Sequence, residues 1–217
     1  AVNAVCSVDG IKRVRLGSLE PDHMTEEMIK GLKRQEKLCP QFHISLQSGC
    51  PETLKRMNRH YDAAEYARIC ADLRASFKDC TITTDVMVGF AGETDDEFNQ
   101  SLEFVKAIGF EKVHVFPYSV RIGTRAASFP DQQDKKTKQE RAKKMADAAN
   151  EIRTAFLRAQ IGKTVEVLAE TKEDDGSCNG YTANYTPVKI ISGAECGEFY
   201  NIKITAVEDD CCVGEKV

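Results

Sequence analysis

The chain is 217 residues long, which is enough for one large domain or for one medium domain with a small companion. Hydrophobic residues make up 41% and charged residues 29%, and no apolar run approaches the roughly 18 residues that a membrane helix needs. This composition excludes membrane-spanning, collagen-like and wholly disordered proteins. The first ten residues lack a basic region followed by an apolar stretch, so we expect a cytoplasmic protein with no membrane partner.

Charge divides the chain into two unequal parts. The whole sequence has a net charge of −4, but residues 159–217 alone have a net charge of −6. Residues 135–158 carry eight basic and three acidic side chains, a net charge of +5. We therefore expect a polyanionic partner to bind first at this basic segment, the alternative being a solvated helix face.

Nine cysteines are spread along the chain, and no two of them are separated by a gap of two or three residues. Thiolates that hold one zinc ion or one iron–sulfur cluster from a single loop need such spacing. Most of the cysteines are therefore expected to be small buried hydrophobic residues. His43 and His114 fall inside strand patterns, which favours packed histidines over metal ligands, and the sequence predicts no metal site.

From residue 11 to about 130, short β-branched runs alternate with helical patterns, which is typical of parallel βα units. Four strands are predicted, at residues 12–16, 42–46, 81–88 and 112–116. Helices are predicted to begin near Thr25, Pro51, Asp62 and Thr94, the last two at capping boxes. About 130 residues are too few for a closed eightfold barrel, so this part is either an open sheet or a partial barrel.

After a polar stretch at 130–137, the sequence predicts one long helix that runs to about residue 160. The periodicity then changes from 3.6 to 2, which is typical of strands. Five short strands are predicted, at 163–169, 180–185, 188–191, 199–207 and 212–217. We expect them to form a small antiparallel barrel, so that the chain divides into domains at 1–160 and 161–217.

Polar side chains and glycines follow each of the four predicted parallel strands. Ligands of parallel βα proteins bind at the carboxyl ends of the strands, where glycine lets a ligand approach the backbone. Each polar residue alone is explained equally well as a helix cap. Because four consecutive strands carry them, the sequence predicts a binding edge formed by Ser18, Glu20, Gln47, Ser48, Asp85, Gly89, Glu93, Tyr118 and Ser119.

The segments that carry these residues resemble one known family. Five segments of this chain resemble, in order and spacing, the later barrel strands of the radical-SAM methylthiotransferases: residues 13–21, 43–49, 54–59, 84–94 and 115–119. The residues from about 160 resemble the TRAM domain of that family. Ala91 departs from the family, which more usually has proline there. The resemblance implies an α/β fold, in which a partial radical-SAM (TIM-like) βα barrel is followed by a small antiparallel, OB-like β-barrel.

Within that family, residues 18–21 and 180–185 most resemble the enzymes that methylthiolate N6-threonylcarbamoyladenosine in tRNA. The isopentenyladenosine and ribosomal-protein branches are the alternatives. The resemblance implies a parent enzyme that uses S-adenosylmethionine and two [4Fe–4S] clusters to insert a methylthio group at C2 of the modified adenine. The family's CxxxCxxC motif is absent from this sequence, so we expect a fragment that binds no cluster and has no activity alone.

The resemblance also implies roles for individual residues. Cofactor binding is assigned to Ser18, Gln47, Ser48, Asp85, Gly89 and Glu93. The resemblance also places Tyr118 and Arg121 at the rim that faces the substrate nucleotide. The positive charge of residues 135–158 and the aromatic residues of the small barrel, rather than the resemblance, assign tRNA contact to Lys138, Lys143, Lys144 and Tyr185. A partial barrel would leave the strand at 12–16 with an unpaired edge, so we expect self-association there or cover by the N-terminal residues. A non-catalytic RNA-binding module is a further alternative, which the negative charge of residues 159–217 disfavours.

Overall fold

A computed structural model describes all 217 residues, and its first part is a parallel sheet with the strand order β1–β2–β3–β4. The strands are β1 (Ser18–Leu19), β2 (Gln41–Ile44), β3 (Thr81–Val88) and β4 (Lys112–Pro117). The helices are α1 (Val2–Cys6), α2 (Glu26–Lys33), α3 (Pro51–Arg56), α4 (Ala63–Ser76), α5 (Asp95–Ile108) and α6 (Lys135–Arg158). No helix has both the length and the apolar character needed to cross a bilayer.

The helix boundaries follow the predicted capping residues. The side chains of Asp62 and Thr94 each accept a hydrogen bond from the backbone N–H three residues later. In both capping boxes the glutamate at that position accepts a hydrogen bond from the backbone N–H of the capping residue. Gly109 ends α5 with φ of 66°, a left-handed conformation that glycine adopts without steric cost. The predicted starts of α2, α3, α4 and α5 are confirmed.

The predicted position of the first strand is wrong. β1 lies after residues 12–16 and pairs with His43 and Ile44 of β2, whereas within 12–16 only Val14 forms a bridge, to Leu38. Val14 exchanges backbone hydrogen bonds with Lys37 and Cys39, which precede β2, so this segment makes a single bridge and no ladder with the sheet. β2 is the only strand beside β1, so self-association through this edge stays a prediction.

The two faces of the sheet differ in burial. One face is packed under helices in a core of 20 buried residues that includes Phe42, Ile44, Ile82 and Val86. The residues that alternate with them lie on the opposite face, which we call the open face and define by His43, Thr83, Asp85 and His114. All four of these side chains are partly or fully exposed. The open face therefore offers polar atoms to a ligand.

The carboxyl-terminal part is a closed five-stranded barrel in the order β5–β6–β7–β9–β8. Its strands are β5 (Thr164–Lys172), β6 (Cys178–Thr182), β7 (Pro187–Ile190), β8 (Phe199–Glu208) and β9 (Cys211–Lys216). The predicted antiparallel arrangement is wrong for one pair, because β7 and β9 run parallel where the barrel closes. The end of the predicted strand 180–185 is instead a turn, in which Tyr185 adopts a φ of 63°.

The barrel lies against the amino-terminal ends of the parallel strands. Asn184 donates a hydrogen bond through Nδ2 to the backbone oxygen of Asp79 (2.9 Å), and its own backbone oxygen accepts one from the hydroxyl of Thr81 (2.6 Å). Lys112, the first residue of β4, lies 3.6 Å from Asp210 in the β8–β9 turn. The barrel and the predicted binding edge are therefore at opposite ends of the sheet.

Candidate active site

The turn that follows β3 is held by a buried ion pair. Glu93 is 2% exposed, and its Oε1 accepts hydrogen bonds from the Gly89 N–H (2.8 Å) and from Nη1 of Arg141 (2.7 Å). Burial raises the pKa of Glu93, against the opposing effects of those two donors. Arg141 also donates to the backbone oxygen of Glu93 (3.0 Å). The carboxylate thus shapes the Gly89–Glu93 turn, and its assignment to cofactor binding stays a prediction.

Two of the residues that follow β2 have different roles: the side chain of Ser48 is used within the protein, and that of Gln47 is free to bind a ligand. Ser48 is 1% exposed, and its hydroxyl accepts a hydrogen bond from the Cys50 N–H (3.2 Å). The backbone of Gln47 pairs with β3 by donating to the Asp85 oxygen and accepting from the Met87 N–H, both at 2.8 Å. The side-chain amide of Gln47 has no hydrogen bond within the protein, so it is available to a ligand.

Tyr118 and Lys138 form a contact beneath the strand ends. Lys138 donates through Nζ to the Tyr118 backbone oxygen (3.1 Å) and lies 5.5 Å from the centre of its ring. The Lys138 stem also fills the space beside Gly89, where a Cβ would come within 2.5 Å of it. Tyr118 was predicted at a rim that faces the nucleotide, but it is 8% exposed, and its buried hydroxyl has no partner.

Arg121 is exposed in the loop that follows the carboxyl end of β4, whereas Ser18, also exposed, is the first residue of β1 and lies level with His43 in the register. Beside Arg121, Ile122 is fully exposed and Val120 is 45% exposed, an apolar pair next to a cation. Because all four strands are parallel, their carboxyl ends meet at one edge of the sheet. That edge brings together Gln47, Gly89 and Arg121, and the structure does not place Ser18 with them.

Histidines that the sequence assigned to packing meet on the open face. His43 Nε2 lies 3.2 Å from Asp85 Oδ2, and His43 Nδ1 lies 2.9 Å from the hydroxyl of Thr83. His114 is the direct neighbour of Asp85 in the β3–β4 register. Burial lowers the pKa of His114. Period-2 alternation places each residue on a face, but only the register between strands brings the three together, so sequence reasoning missed the cluster.

The basic helix α6 has fewer free charges than its composition indicates. Arg141 is bound to Glu93 and Asp95, and Arg153 donates through Nε to Asp210 (2.6 Å). Lys143 and Lys144 are exposed, although Lys143 lies 3.3 Å from Asp147 one turn later. Of the three lysines assigned to tRNA, only these two present their charge to solvent without contacting the strand ends.

Tyr185, which was assigned to RNA contact, lies at the amino-terminal end of the sheet, far from Tyr118 and Arg121 at the other end. Its ring stacks on that of Tyr181, with centres 4.2 Å apart and planes 8° from parallel, and the Arg15 guanidinium lies 4.1 Å from its centre. Two groups this close to one ring centre cannot share a face, so both faces are covered. The ring is 39% exposed, and its assignment to RNA stacking stays a prediction.

All nine cysteines are free thiols, and the sulfur atoms of Cys178 and Cys196 lie 3.9 Å apart. The only three potential metal-binding side chains with ligand atoms within 4.8 Å of one another are His43, Asp85 and His114, and no such group contains a cysteine. An iron–sulfur cluster with one open iron needs at least three thiolates, and the expectation that this chain alone binds no cluster stays a prediction.

Comparison with protein families divides the chain as its fold does. Residues 2–105 match the Radical SAM superfamily, and residues 158–217 match the TRAM domain. Among solved structures, coproporphyrinogen III oxidase (HemN) from Escherichia coli, a radical SAM enzyme, has a similar fold, with a TM-score of 0.56. That match covers 88% of this chain and 46% of the other at 12% identity.

Curated relatives carry two kinds of name. A Clostridium botulinum tRNA-2-methylthio-N(6)-dimethylallyladenosine synthase is 35% identical over 216 residues, which cover 98% of this chain and 48% of the relative. The threonylcarbamoyladenosine tRNA methylthiotransferase MtaB of Thermotoga maritima is 36% identical over 203 residues, covering 94% and 46%. Its Chlamydia pneumoniae namesake is 33% identical over 218 residues, covering 100% and 52%. The chain spans about half the length of the curated relatives it matches.

Proposed function

We propose that this chain, which belongs to the radical-SAM tRNA methylthiotransferase family and carries a TRAM domain, acts in the transfer of a methylthio group to C2 of N6-threonylcarbamoyladenosine in tRNA. The family implies S-adenosylmethionine and [4Fe–4S] clusters in the parent enzyme. When bound, that cofactor and its cluster supply the radical chemistry. The residues of this chain hold and orient the reactants.

The polarity of the open face supports the threonylcarbamoyl group over the dimethylallyl group. His43, Thr83, Asp85 and His114 offer ring nitrogens, a hydroxyl and a carboxylate. A threonylcarbamoyl group has carboxylate, hydroxyl and urea atoms to pair with them, whereas a dimethylallyl group has none. A site built for polar partners rejects an apolar analogue because its own polar atoms would be left unpaired.

The carboxyl edge of the sheet suits a nucleoside cofactor. The side-chain amide of Gln47 is partly exposed at this edge and makes no hydrogen bond within the protein. Gln47 and the backbone at Gly89 are proposed to hold the adenosyl part of S-adenosylmethionine. Ser48 and Glu93 do not contact the cofactor in this proposal. Their side chains hydrogen-bond to the backbone of the loops that carry Gln47 and Gly89, and so hold those loops in place.

The function is tested on the tRNA itself. Deleting the gene that encodes this chain should remove 2-methylthio-N6-threonylcarbamoyladenosine from hydrolysed cellular tRNA, measured by liquid chromatography and mass spectrometry, and the intact gene should restore it. The 2-methylthio dimethylallyl nucleoside serves as the internal control and should be unchanged. Loss of that nucleoside instead would place the protein in the other branch, and loss of neither would contradict the function.

Two exposed lysines of α6 are expected to contact tRNA phosphates. Replacing Lys143 and Lys144 by alanine in the complete enzyme should weaken tRNA binding and reduce the slope of log K against log salt by up to about 2, since each lysine releases about one counterion. Lys33 and Lys55, exposed on α2 and α3, make a matched control pair. Filter binding across a salt series measures both, and equal slopes for the two double variants would contradict the contact.

A further inference from the structure

Three metal-binding side chains converge on the open face from three adjacent strands. His43 lies on β2, Asp85 on β3 and His114 on β4. The parallel register pairs His43 with Thr83 and Asp85 with His114, and Thr83 and Asp85 share a face because they are two residues apart. Strand pairing therefore places all three side chains on one face, within two residues of one another in register.

The distances suit a common ligand. One nitrogen of each histidine and one oxygen of Asp85 all lie within 4.8 Å of one another, and the His43–Asp85 pair is closer, at 3.2 Å. Ligands bound to one ion at about 2.1 Å in tetrahedral geometry stand about 3.4 Å apart. Small side-chain rotations close the remaining separation, and the exposed His114 has the freedom to make them.

Neighbouring hydroxyl groups hold the cluster in a binding orientation. The Thr83 hydroxyl lies 2.9 Å from His43 Nδ1, which leaves Nε2 as the ring atom that faces Asp85. Ser45 donates from its hydroxyl to Asp85 Oδ2 at 3.4 Å. Outer hydrogen bonds of this kind fix the ring of a metal-bound histidine and the position of a bound carboxylate.

We propose that His43, Asp85 and His114 bind a first-row divalent cation such as Zn²⁺, Fe²⁺ or Co²⁺. Two imidazoles and one carboxylate suit these ions and not Mg²⁺ or Ca²⁺, which take oxygen ligands. Three protein ligands leave at least one coordination position open. If the proposed function holds, that position would accept the threonyl carboxylate, which Asp85 alone would repel. Cation binding itself does not depend on the proposed function.

Cobalt provides the direct test, because its visible spectrum reports the ligand type. The full 217-residue chain carries Cys196→Ser in every sample, since the Cys178–Cys196 pair is a competing thiolate site. Titration with Co²⁺ should give one equivalent bound, with ligand-field absorption and no thiolate charge-transfer band. His114→Ala and Asp85→Asn should each weaken binding at least about 100-fold, and Thr83→Val about 10-fold. Zn²⁺ should displace the bound Co²⁺.

His60→Ala is the matched control, since His60 is exposed and lies outside the cluster. It should leave cobalt affinity unchanged. Thermal unfolding followed by circular dichroism verifies that each variant is folded, and the exposed position of His114 makes its variant the safest. Stoichiometric binding that survives both His114→Ala and Asp85→Asn, or no binding to the folded chain, would overturn the proposal.

Discussion

Replacing Arg141 by methionine should lower the free energy of unfolding at pH 7 by about 3 to 5 kcal/mol. The Arg141 side chain is 7% exposed and Glu93 is 2% exposed, so the substitution leaves a buried carboxylate without its counterion. The Gly89 N–H remains as the one donor to the abandoned oxygen. Urea unfolding followed by circular dichroism measures the loss, because the chain has no tryptophan to report it by fluorescence.

The loss should depend on pH in a direction set by Glu93. Burial already raises the pKa of Glu93 above the ordinary value of about 4.3, and removing Arg141 raises it further. The unfolded chain releases this proton near the ordinary value, and the folded variant releases it only at its raised pKa. Between these two pKa values the folded state holds a proton that the unfolded state has released, so the free energy of unfolding falls as pH rises. The Arg141→Met protein should therefore regain part of its stability near pH 5.

A second substitution isolates the buried charge as the cause. Glu93→Gln in the Arg141→Met background removes the charge and keeps an oxygen that can accept from the Gly89 N–H. The double variant should be more stable at pH 7 than Arg141→Met alone, and the pH dependence due to Glu93 should vanish. If Glu93→Gln gave no recovery, lost packing of the arginine against Phe98, 5.6 Å from that ring centre, would explain the destabilisation instead.

The features predicted correctly from the sequence are those fixed within a few residues. Both capping boxes join residues three apart, and the glycine that ends α5 acts within one helical turn. Strand alternation likewise places His43 and Asp85 on faces without any knowledge of neighbours. These elements required no long-range information, so composition and periodicity were enough to locate them.

The features that sequence reasoning missed join residues far apart in the chain. Arg141 reaches Glu93 across 48 positions, and Arg153 reaches Asp210 across 57. Arg13, in the segment predicted to be the first strand, reaches Glu166 across 153 positions. The sequence pattern of a basic residue in a helix does not show whether its side chain faces solvent or a buried carboxylate. Counting charges therefore overstated the number of free positive charges on α6.

Replacing Arg13 and Arg153 together by alanine should loosen the small barrel from the parallel sheet. Arg13, 16% exposed, donates through Nη1 to the Tyr181 oxygen (3.1 Å) and through Nη2 to Glu166 (2.7 Å). Arg153, 12% exposed, donates to Asp210 and to the Glu111 backbone oxygen. Hydrogen bonds of charged groups contribute about 1.5 to 3 kcal/mol each. We expect the two parts to unfold in separate thermal transitions, resolved by calorimetry.

The matched control replaces Arg34 and Arg68, which are exposed on or beside α2 and α4 and should leave the unfolding profile unchanged. In the complete enzyme, the loosened variant should also bind tRNA less tightly while keeping its salt slope, because Arg13 and Arg153 are directed into the protein and release no counterions. In the proposed function, the barrel binds RNA at one end of the sheet while the reacting base enters at the other, so the two parts must be held at a fixed distance. A single unfolding transition with unchanged tRNA affinity would show that the remaining contacts between the two parts, such as those of Asn184 with Asp79 and Thr81, suffice to hold them together.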